Sequence, residues 1–482
     1  MTEAPDPPPP GRRVYCNRTL NLRSIRAIGF DMDYTLVHYR IGAWERCAFE
    51  HLRERVLGRG WPVGDLPFDP DLFTRGLIID RELGNVVKAN RFGYVKRACH
   101  GTRMLDFDGQ RRAYGRTVVD LSDGRWAFLN TLFSLSEACM LGYLVDLHDA
   151  SPLPGVSSYS YLYGEVRRML DRAHIEGSLK ADIVSDPDRY VESDADTARS
   201  LLDFKQAGRK LLLITNSDWP YTRAMMEHVI DPFLPGSRHW RDLFDTVLVM
   251  ARKPDFFTSL MPLFEVVDDD RNLLTPCESG LRPGRLYAGG DAAAVEAAFG
   301  VSGEEVLYVG DHMFTDVHLS KSEMRWRTAL ILRELESEIA AIEAFRPRET
   351  RLAAEMEGKD RLEARLCAAR LRHLRLDEEG GAPEADRALH GEIAGIRAAI
   401  VEADARISPL AQEATELLNR RWGLLLRAGN DKSHLARQIE RYADVYTSRV
   451  SNFLPVTPFA YLRSPRGSLP NDGASAALPL EP

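Results

Sequence analysis

Cysteine is scarce in this sequence and is not arranged in pairs. The 482 residues include six cysteines, and no two of them form a Cys-x-x-Cys pair: Cys16, Cys47, Cys99, Cys139, Cys277 and Cys367. Structural zinc sites and disulfide frameworks both rely on closely and regularly spaced cysteines. The sequence therefore indicates neither of them, and we expect reduced thiols in a cytoplasmic protein.

The chain also lacks long apolar segments and an excess of positive charge. No run approaches the roughly 18 apolar residues that a membrane span needs, and the Pro-rich stretch at residues 1–15 contains no apolar core of a signal peptide. The formal net charge is -8, which argues against a general binder of nucleic acid or of anionic membranes. We expect a cytoplasmic protein without nucleic-acid or membrane partners.

The sequence does contain polar residues placed at the ends of apolar segments. Near the N-terminus, the apolar residues 25–30 lead directly to Asp31 and Asp33, followed by Thr35. Open α/β folds bind ligands at the carboxyl ends of their parallel strands, so two carboxylates in this position indicate a reactive site. For this stretch taken alone, the alternative is an Asp-x-Asp turn in which both side chains accept backbone N–H groups.

Three further apolar segments end in the same way. Their polar ends are Thr215, Asn216 and Ser217 after residues 210–214, Lys253 after residues 245–250, and Asp311 and Asp316 after residues 305–309. Taken alone, Thr215, Asn216 and Ser217 could also form the N-cap of a helix. A single lysine in a loop, such as Lys253, is usually solvated. Four such ends in succession predict an α/β fold with a doubly wound parallel sheet. The carboxylates provide oxygen ligands for a hard cation, so His312 and His318 are not needed as metal ligands.

In this order, the four ends resemble the motifs of the haloacid-dehalogenase superfamily of phosphohydrolases. The resemblance implies that Asp31 attacks phosphorus to form an aspartyl-phosphate, and that Asp33 serves as general acid and then as general base. Thr215 and Lys253 would hold the phosphoryl oxygens. Mg²⁺ is the implied cofactor. Its implied ligands are Asp31, the backbone carbonyl of Asp33, and Asp311, with Asp316 in support.

A narrower resemblance covers about residues 25 to 462, and it is weakest over residues 331–419. The stretches that carry it look like those of the cytosolic purine 5'-nucleotidase family: GFDMDYTL at 29–36, NTLF at 130–133, TNSD at 215–218, ARKPDFF at 251–257, GDHMF at 310–314, and residues 438–446. The resemblance implies a Mg²⁺-dependent enzyme that hydrolyses IMP and GMP to nucleoside and phosphate. It also implies transfer of the phosphoryl group to nucleosides.

The same resemblance assigns contacts with the substrate. Arg167, Asp171 and His174 lie at i, i+4 and i+7 of a predicted helix and share one face, where a surface salt-bridge ladder is the alternative. A 6-oxopurine offers an acceptor at O6 and a donor at N1, which Arg167 and Asp171 could both read. The other implied contacts are Phe133, which would stack on the base, Lys180, Asn216 and Ser217. Ser134 departs from the family, which has asparagine there.

Members of this family are activated by nucleotides such as ATP at a second site. The residues that match this effector site are Asn130, Phe314, Gln438, Arg441 and Tyr442. Ser322 stands where the family has a lysine, although Lys321 is adjacent. The resemblance also implies a homo-oligomer, a tetramer.

The pattern of segments predicts a division of the chain into several parts. These are an unstructured tail (1–15), a haloacid-dehalogenase-like core (16–80 and 195–330), an inserted cap domain that determines substrate specificity (81–194), a helical hairpin (331–419), a segment that packs on the core (420–465) and a loose tail (466–482). We expect the helical pattern of the hairpin to break at Pro347, at residues 377–383 and at Pro409. Residues 265–285 are predicted to form a loop.

Two other functions stay open from the sequence. The same chemistry could act on another phosphomonoester, such as a sugar phosphate. Alternatively, the protein could be a non-catalytic nucleotide-binding regulator whose helical hairpin makes the functional contacts. The complete set of carboxylates argues against this second alternative, because an inactive relative usually loses its nucleophile or a metal ligand.

Overall fold

A ten-stranded sheet forms the centre of the molecule in a computed structural model that describes residues 8–175, 177–378, 383–465 and 467. Seven neighbouring strands of this sheet are parallel, in the order Val445–Thr447, Arg327–Ile331, Val306–Gly310, Ala27–Phe30, Lys210–Ile214, Thr246–Val249 and Arg285–Gly289. The α/β class and the mostly parallel sheet are thus confirmed.

The central strand Ala27–Phe30 is buried along its whole length. Its side chains alternate between two apolar clusters, because Ile28 and Phe30 belong to one and Ala27 to the other. The first cluster includes the helices Ala195–Gln206 and Trp219–Val229, and the second includes Ala292–Phe299, Asp255–Thr258 and Leu319–Ser322. Helices therefore cover both faces, as continuous apolar strands require.

Antiparallel strands complete both edges of this sheet. Tyr15–Cys16 pairs with Val445–Thr447 at one edge. At the other edge, Leu263–Asp268 pairs with Arg285–Gly289, and Leu273–Pro276 pairs with Leu263–Asp268. The prediction of a loop over residues 265–285 is therefore wrong. Leu273–Pro276 is exposed at every position, so backbone pairing makes it a strand without the alternating burial that a sequence pattern reveals.

A second, five-stranded antiparallel sheet lies in the first third of the chain. Its order is Arg103–Met104, Val95–His100, Asn85–Ala89, Ile78–Asp80 and Trp126–Phe128, with the helix Phe107–Tyr114 beside it. The predicted boundary between residues 80 and 81 falls inside the hairpin of Ile78–Asp80 and Asn85–Ala89. Four helices follow this sheet: Leu135–Ala150, Tyr159–Ile175, Ser178–Ser185 and Pro187–Tyr190. The first two pack against the N-terminal helix Ile41–Gly58.

Two long helices, Leu335–Glu378 and Pro383–Glu416, pack side by side. They share a small apolar core that includes Ala369, Ile393 and Ile396. Pro347 and Pro409 lie inside these helices, so the breaks predicted at these two prolines are wrong, whereas one helix ends at Glu378 and the next begins at Pro383, within the break predicted at residues 377–383. A proline removes one backbone donor, and helices of this length are supported by tertiary packing. No described helix is both long enough and apolar enough to cross a membrane.

The two ends of the described chain meet at one edge of the main sheet. The prediction of an unstructured tail over residues 1–15 is wrong for residues 8–15. Pro10–Arg12 forms a 3₁₀ turn, and the Arg12 Nη2 donates to Ser451 Oγ at 3.0 Å. The C-terminal segment supplies the strand Val445–Thr447 and the helix His434–Tyr442. Residues 1–7, and the predicted loose tail at 466–482 except residue 467, lie outside the described residues.

Candidate active site

The predicted residues meet at the carboxyl ends of the central parallel strands. Asp31 continues the strand Ala27–Phe30, and its N–H donates to the Val309 carbonyl at 2.9 Å. Asp311 follows the neighbouring strand Val306–Gly310 directly. Because Val306–Gly310, Ala27–Phe30, Lys210–Ile214 and Thr246–Val249 are consecutive in the sheet, all four predicted strand ends adjoin one another.

Lys253 links two of the carboxylates. Its Nζ lies 2.9 Å from Asp31 Oδ1 and 2.8 Å from Asp316 Oδ1, and it donates to the Tyr308 hydroxyl at 3.1 Å. The side chain is only 3% exposed. Burial lowers the pKa of Lys253, but the charges of Asp31 and Asp316 outweigh burial and raise it well above its usual value. Lys253 is therefore a fixed positive charge.

Asp311 joins Asp31 and Asp316 in a cluster of three buried carboxylates, two of which contact this ammonium. Oxygens of Asp31, Asp311 and Asp316 lie within 4.8 Å of one another. Burial, together with repulsion from the neighbouring carboxylates, raises the pKa of Asp31 well above its usual value. Burial raises the pKa of Asp311 to about 7. The negative charge of three carboxylates exceeds that of one ammonium, and oxygen donors are those that Mg²⁺ prefers. These residues therefore fit a Mg²⁺ ion.

Asp311 is held in place by residues that precede and follow the second sheet. Thr131 Oγ1 donates to Asp311 Oδ2 at 3.1 Å. The guanidinium of Arg75 donates to the backbone carbonyl of Asp311 and, at 3.1 Å, to the carbonyl of Asn130. Arg75 is itself buried. The part of the chain between the strands Ala27–Phe30 and Lys210–Ile214 therefore helps to position the carboxylate cluster.

Asp316 lies in the short π-helix Met313–His318 and reaches back to the strand end. Its Oδ2 accepts the N–H of His312 at 3.1 Å. A Cβ atom on Gly310 would lie 2.4 Å from this oxygen, so only glycine permits the approach. His312 caps the helix, because its Nδ1 accepts the N–H of Thr315 at 3.1 Å, and burial lowers its pKa to about 4.

Asp33 is oriented by hydroxyl groups. Its Oδ1 accepts from the Tyr39 hydroxyl at 2.5 Å and its Oδ2 from Ser217 Oγ at 2.8 Å. The Tyr39 hydroxyl also lies 2.8 Å from that of Tyr221. The capping-turn alternative describes only part of this stretch, since Asp31 Oδ1 does accept the next backbone N–H at 2.8 Å. Asp33 instead accepts from side chains of other elements.

The loop after Lys210–Ile214 connects Asp33 with Lys253. The buried Thr215 accepts the N–H of Ser217 at 3.1 Å through its Oγ1. The amide of Asn216 holds the backbone of Lys253, because Oδ1 accepts its N–H at 2.7 Å and Nδ2 donates to its carbonyl at 3.0 Å. Asn216 thus positions the lysine loop. The N-cap of the next helix is Asp218, not one of the three preceding residues.

Two of the predicted substrate residues lie in an aromatic cluster that borders the Asp33 turn. The ring of Phe133 is 4.6 Å from Tyr34 and 4.6 Å from Trp44, in edge contacts. His174 stacks on Trp44 at 5.6 Å, and burial lowers its pKa to about 4. The ring of Tyr34 lies 5.1 Å from Tyr39, which holds Asp33.

Lys180 reaches the same region from the helix Ser178–Ser185. Its Nζ lies 2.8 Å from Asp218 Oδ2 and 4.9 Å from the centre of the Tyr221 ring. Tyr221 in turn contacts Tyr39. The structure therefore brings Lys180, as well as Phe133 and His174, to one side of Asp33.

Arg167 and Asp171 are exposed residues of the helix Tyr159–Ile175. Arg167 Nη1 donates to the Tyr163 hydroxyl at 3.2 Å. In the part of the chain that the structure describes, Arg167 and Asp171 form no ion pair with each other, so the alternative of a salt-bridge ladder does not account for them. Their assignment to the purine base stays a prediction.

All five predicted effector residues line one cavity of about 650 Å³: Asn130, Phe314, Gln438, Arg441 and Tyr442. His318 also lines it and stacks on Tyr442 at 3.9 Å. Lys321 has a buried counter-ion, because its Nζ lies 2.8 Å from Asp444 Oδ2. The lysine beside Ser322 is therefore already paired. The structure brings the predicted residues together, and the identity of their ligand stays a prediction.

Several residues of the site were not identified from the sequence. They are Tyr308 beside Lys253, Tyr39 beside Asp33, Thr131 and Arg75 beside Asp311, and Gly310 beside Asp316. Strand alternation offers one signal, because Tyr308 and Gly310 are two positions apart on the same strand and share a face. The sequence gives no comparable signal for Arg75, which lies in a turn before the strand Ile78–Asp80 of the second sheet.

The fold and this centre define an α/β protein with a buried carboxylate and lysine site at the ends of parallel strands. The sequence model of the 5' nucleotidase family matches residues 14–474, so the chain belongs to the 5' nucleotidase family. A 5'-nucleotidase domain-containing protein of Dictyostelium discoideum is 26% identical over 472 residues, which are 95% of this chain and 74% of that protein. The 5'-nucleotidase domain-containing protein 2 of Homo sapiens is 29% identical over 343 residues, which are 68% of this chain and 64% of that protein. The protein is accordingly a hydrolase of the 5'-nucleotidase type.

Proposed function

We propose that this protein is a Mg²⁺-dependent 5'-nucleotidase of haloacid-dehalogenase type that hydrolyses IMP and GMP. The reaction would pass through an aspartyl-phosphate on Asp31, and a nucleoside could replace water as the acceptor. One observation carries the proposal above all others. Two buried carboxylates, Asp31 and Asp316, contact a single lysine, and a third carboxylate lies within 4.8 Å of both, beside an aspartate that accepts from two hydroxyl groups.

The carboxylates provide the ligands that a hard cation needs. Asp31, the carbonyl of Asp33, and Asp311 would hold Mg²⁺, with Asp316 in support. When bound, Mg²⁺ would neutralise charge on the carboxylates and on the phosphate. The raised pKa values of Asp31 and Asp311 agree with a cluster that is short of positive charge.

In the proposed mechanism, Asp31, Asp33, Thr215 and Lys253 each have a separate role. Asp31 would attack phosphorus, while Lys253 would bind the phosphoryl oxygens and balance their charge. The hydroxyl of Thr215 would donate to another phosphoryl oxygen. Asp33 would give its proton to the leaving 5' oxygen and later take one from the attacking water. The Tyr39 hydroxyl donates to Asp33 Oδ1 at 2.5 Å and would keep the side chain in one orientation during both steps.

We further propose that the helix Tyr159–Ile175 reads the base. Arg167 would donate to O6 and Asp171 would accept from N1 of a 6-oxopurine. Phe133 would contact the ring plane, and Lys180 and His174 would lie toward the ribose and phosphate. Their positions beside Tyr34, Trp44 and Tyr221 support this arrangement. Residues 81–194 would then serve as the cap domain.

The 650 Å³ cavity is proposed to bind a nucleotide effector such as ATP. Its lining offers aromatic rings from Phe314 and Tyr442 for a base, and Arg437 and Arg441 for phosphates. Asn130 joins the two sites, because its carbonyl accepts from Arg75, which also holds Asp311. A nucleotide in this cavity could therefore act on the carboxylate cluster.

Release of inorganic phosphate from a panel of phosphomonoesters tests the proposal. The panel contains IMP, GMP, AMP and a sugar phosphate, each with Mg²⁺, with EDTA, and with added ATP. We expect hydrolysis of IMP and GMP that EDTA abolishes and Mg²⁺ restores. Asp31→Asn should lower kcat by on the order of 10³-fold or more, whereas Asp188→Asn, at an exposed position, should leave it unchanged. Full activity of Asp31→Asn would contradict the mechanism.

Base recognition has its own test. Asp171→Ala should lower kcat/KM for IMP by about 10-fold to 100-fold, because it removes a hydrogen-bond acceptor for N1. Hydrolysis of para-nitrophenyl phosphate, which has no purine, should not change. A sugar phosphate that is hydrolysed faster than IMP, and equally well by Asp171→Ala, would assign the same chemistry to another substrate.

A further inference from the structure

A second cluster of metal-ligating side chains lies apart from the carboxylates of Asp31. Cys47 and His51 are one turn apart on the helix Ile41–Gly58, and Asp182 comes from the helix Ser178–Ser185. The sulfur, a ring nitrogen and a carboxylate oxygen lie within 4.8 Å of one another. His51 Nε2 is 2.7 Å and Cys47 Sγ is 3.8 Å from the same oxygen, Asp182 Oδ2.

The donor atoms determine which metal this cluster suits. A thiolate, an imidazole and a carboxylate together are the ligands of Zn²⁺, whereas Mg²⁺ and Ca²⁺ prefer oxygen donors alone. Residues at i and i+4 of a helix project from the same face, so Cys47 and His51 can bind one ion. The third ligand from a neighbouring helix completes a set of three.

The surroundings of the cluster also suit a metal. Ser178 Oγ lies 3.5 Å from His51 Nδ1, so a hydroxyl stands by the ring nitrogen that does not face the carboxylate. Partners of this kind orient the histidine of a metal site. Cys47 is buried, whereas the side chain of Asp182 is 53% exposed. A fourth position would therefore open toward solvent and could hold water, as in sites with three protein ligands.

We propose that Cys47, His51 and Asp182 bind a Zn²⁺ ion that links the helix Ile41–Gly58 to the helix Ser178–Ser185. When zinc binds, His51 and Asp182 no longer contact each other directly. All three side chains instead bind the same ion. The second helix carries Lys180, which pairs with Asp218 beside Tyr221. The ion thus fixes the segment that presents Lys180 to the active site. This site does not depend on the proposed substrate or mechanism.

Metal titration of the full chain tests the zinc site. After treatment with EDTA and its removal, Zn²⁺ is titrated by calorimetry in excess Mg²⁺, which competes for the carboxylates of Asp31. We expect binding of one equivalent and a rise in Tm. Titration with Co²⁺ provides a direct test for sulfur ligation, because a Co²⁺–thiolate bond gives a charge-transfer absorption in the near ultraviolet.

Variants separate this site from other zinc-binding groups. Cys47→Ser and His51→Gln should each weaken Zn²⁺ binding by about 10-fold or more, and Cys47→Ser should lose the thiolate absorption. Cys277→Ser, at a half-buried cysteine elsewhere, should retain both. Circular dichroism establishes that each variant is folded. Binding of equal strength in wild type and both variants, or wild-type Co²⁺ spectra without the thiolate band, would overturn the proposal and leave His51 and Asp182 as a surface ion pair.

Discussion

At the scale of single residues, Gly310 leaves room for Asp316 in the candidate active site because it has no side chain. A Cβ there would lie 2.4 Å from Asp316 Oδ2 and 2.6 Å from the Asp316 Cβ. Gly310→Ala should therefore displace Asp316 from Lys253 and lower kcat by about 10²-fold, which is the typical effect of a small misplacement in an active site. Measurements of phosphate release and of Mg²⁺ dependence check this expectation.

A glycine in open space provides the matched control. Gly391 lies in the helix Pro383–Glu416, and a Cβ there has no atom within 4 Å. Gly391→Ala should keep full activity and raise the free energy of unfolding by up to about 1 kcal/mol. Wild-type kcat in Gly310→Ala would mean that Asp316 is not needed at its observed place.

Glu45 predicts a pH dependence of stability. It is fully buried, its Oε2 accepts the N–H of Ser136 at 2.9 Å, and burial raises its pKa from 4.5 to about 8. A raised pKa in the folded state means that the stabilisation is complete below pH 4.5 and is lost as the pH rises through 8. The loss is about 1.4 kcal/mol per pH unit between these values.

Glu45→Gln should remove this dependence, because glutamine keeps an acceptor for Ser136 and does not ionise. The Tm of the variant relative to wild type should therefore rise between pH 5 and pH 8. The exposed Glu50 on the same helix is the control, and Glu50→Gln should show a difference in Tm that is independent of pH. A constant difference for Glu45→Gln as well would show that Glu45 keeps an ordinary pKa.

The sequence located the carboxylates of the candidate active site but not all of their partners. Asp31 and Asp311 directly follow apolar strands, and this local pattern was enough to place them at one sheet edge. Arg75 contacts Asp311 only because distant elements come together. Such contacts leave no trace in spacing along the chain. The zinc-type cluster was missed for the same reason, since Asp182 is far from Cys47 in sequence.

At the scale of elements, buried strands were predicted best. The strand Lys210–Ile214 has the predicted bounds, and Val306–Gly310 differs from its prediction by one residue. Both are continuously apolar, which is the pattern of strands covered on both faces. The exposed strand Leu273–Pro276 was missed, because its pairing comes from backbone groups. The prolines of the long helices were also misinterpreted, since propensity is a weak guide where packing supports a helix.

Pro347 gives a prediction for the first long helix. It is exposed and lies within Leu335–Glu378, two residues after the buried Phe345. A proline in a helix interior costs up to about 3 kcal/mol relative to alanine, because it removes a hydrogen bond and its ring crowds the preceding turn. Pro347→Ala should therefore raise the Tm and slow amide hydrogen exchange in this helix. Arg346→Ala, at the preceding exposed position, should change either quantity little. A lower Tm in Pro347→Ala would indicate that the helix needs the bend that proline causes.

At the scale of the whole molecule, Asp444 joins distant parts of the chain. Its backbone carbonyl accepts the N–H groups of Asn17 and Arg18 at 2.9 and 3.0 Å. Its buried carboxylate lies 2.8 Å from Lys321 Nζ and 2.9 Å from Arg327 Nε. Asp444 therefore connects the strand Tyr15–Cys16, the strand Val445–Thr447 and the strand Arg327–Ile331 at one edge of the main sheet.

Removing the carboxylate should destabilise the entire fold. Asp444→Ala leaves Lys321 and Arg327 without their shared counter-ion, and breaking a buried ion pair from one side costs about 3–5 kcal/mol. We expect a marked fall in Tm and faster trypsin cleavage near both ends of the chain. Asp270→Ala removes an ion pair whose aspartate side chain is 87% exposed, so it should cost at most about 1 kcal/mol. If Asp444→Ala and Asp270→Ala had equal effects, the two ends would be held by backbone pairing alone, and the carboxylate would add nothing.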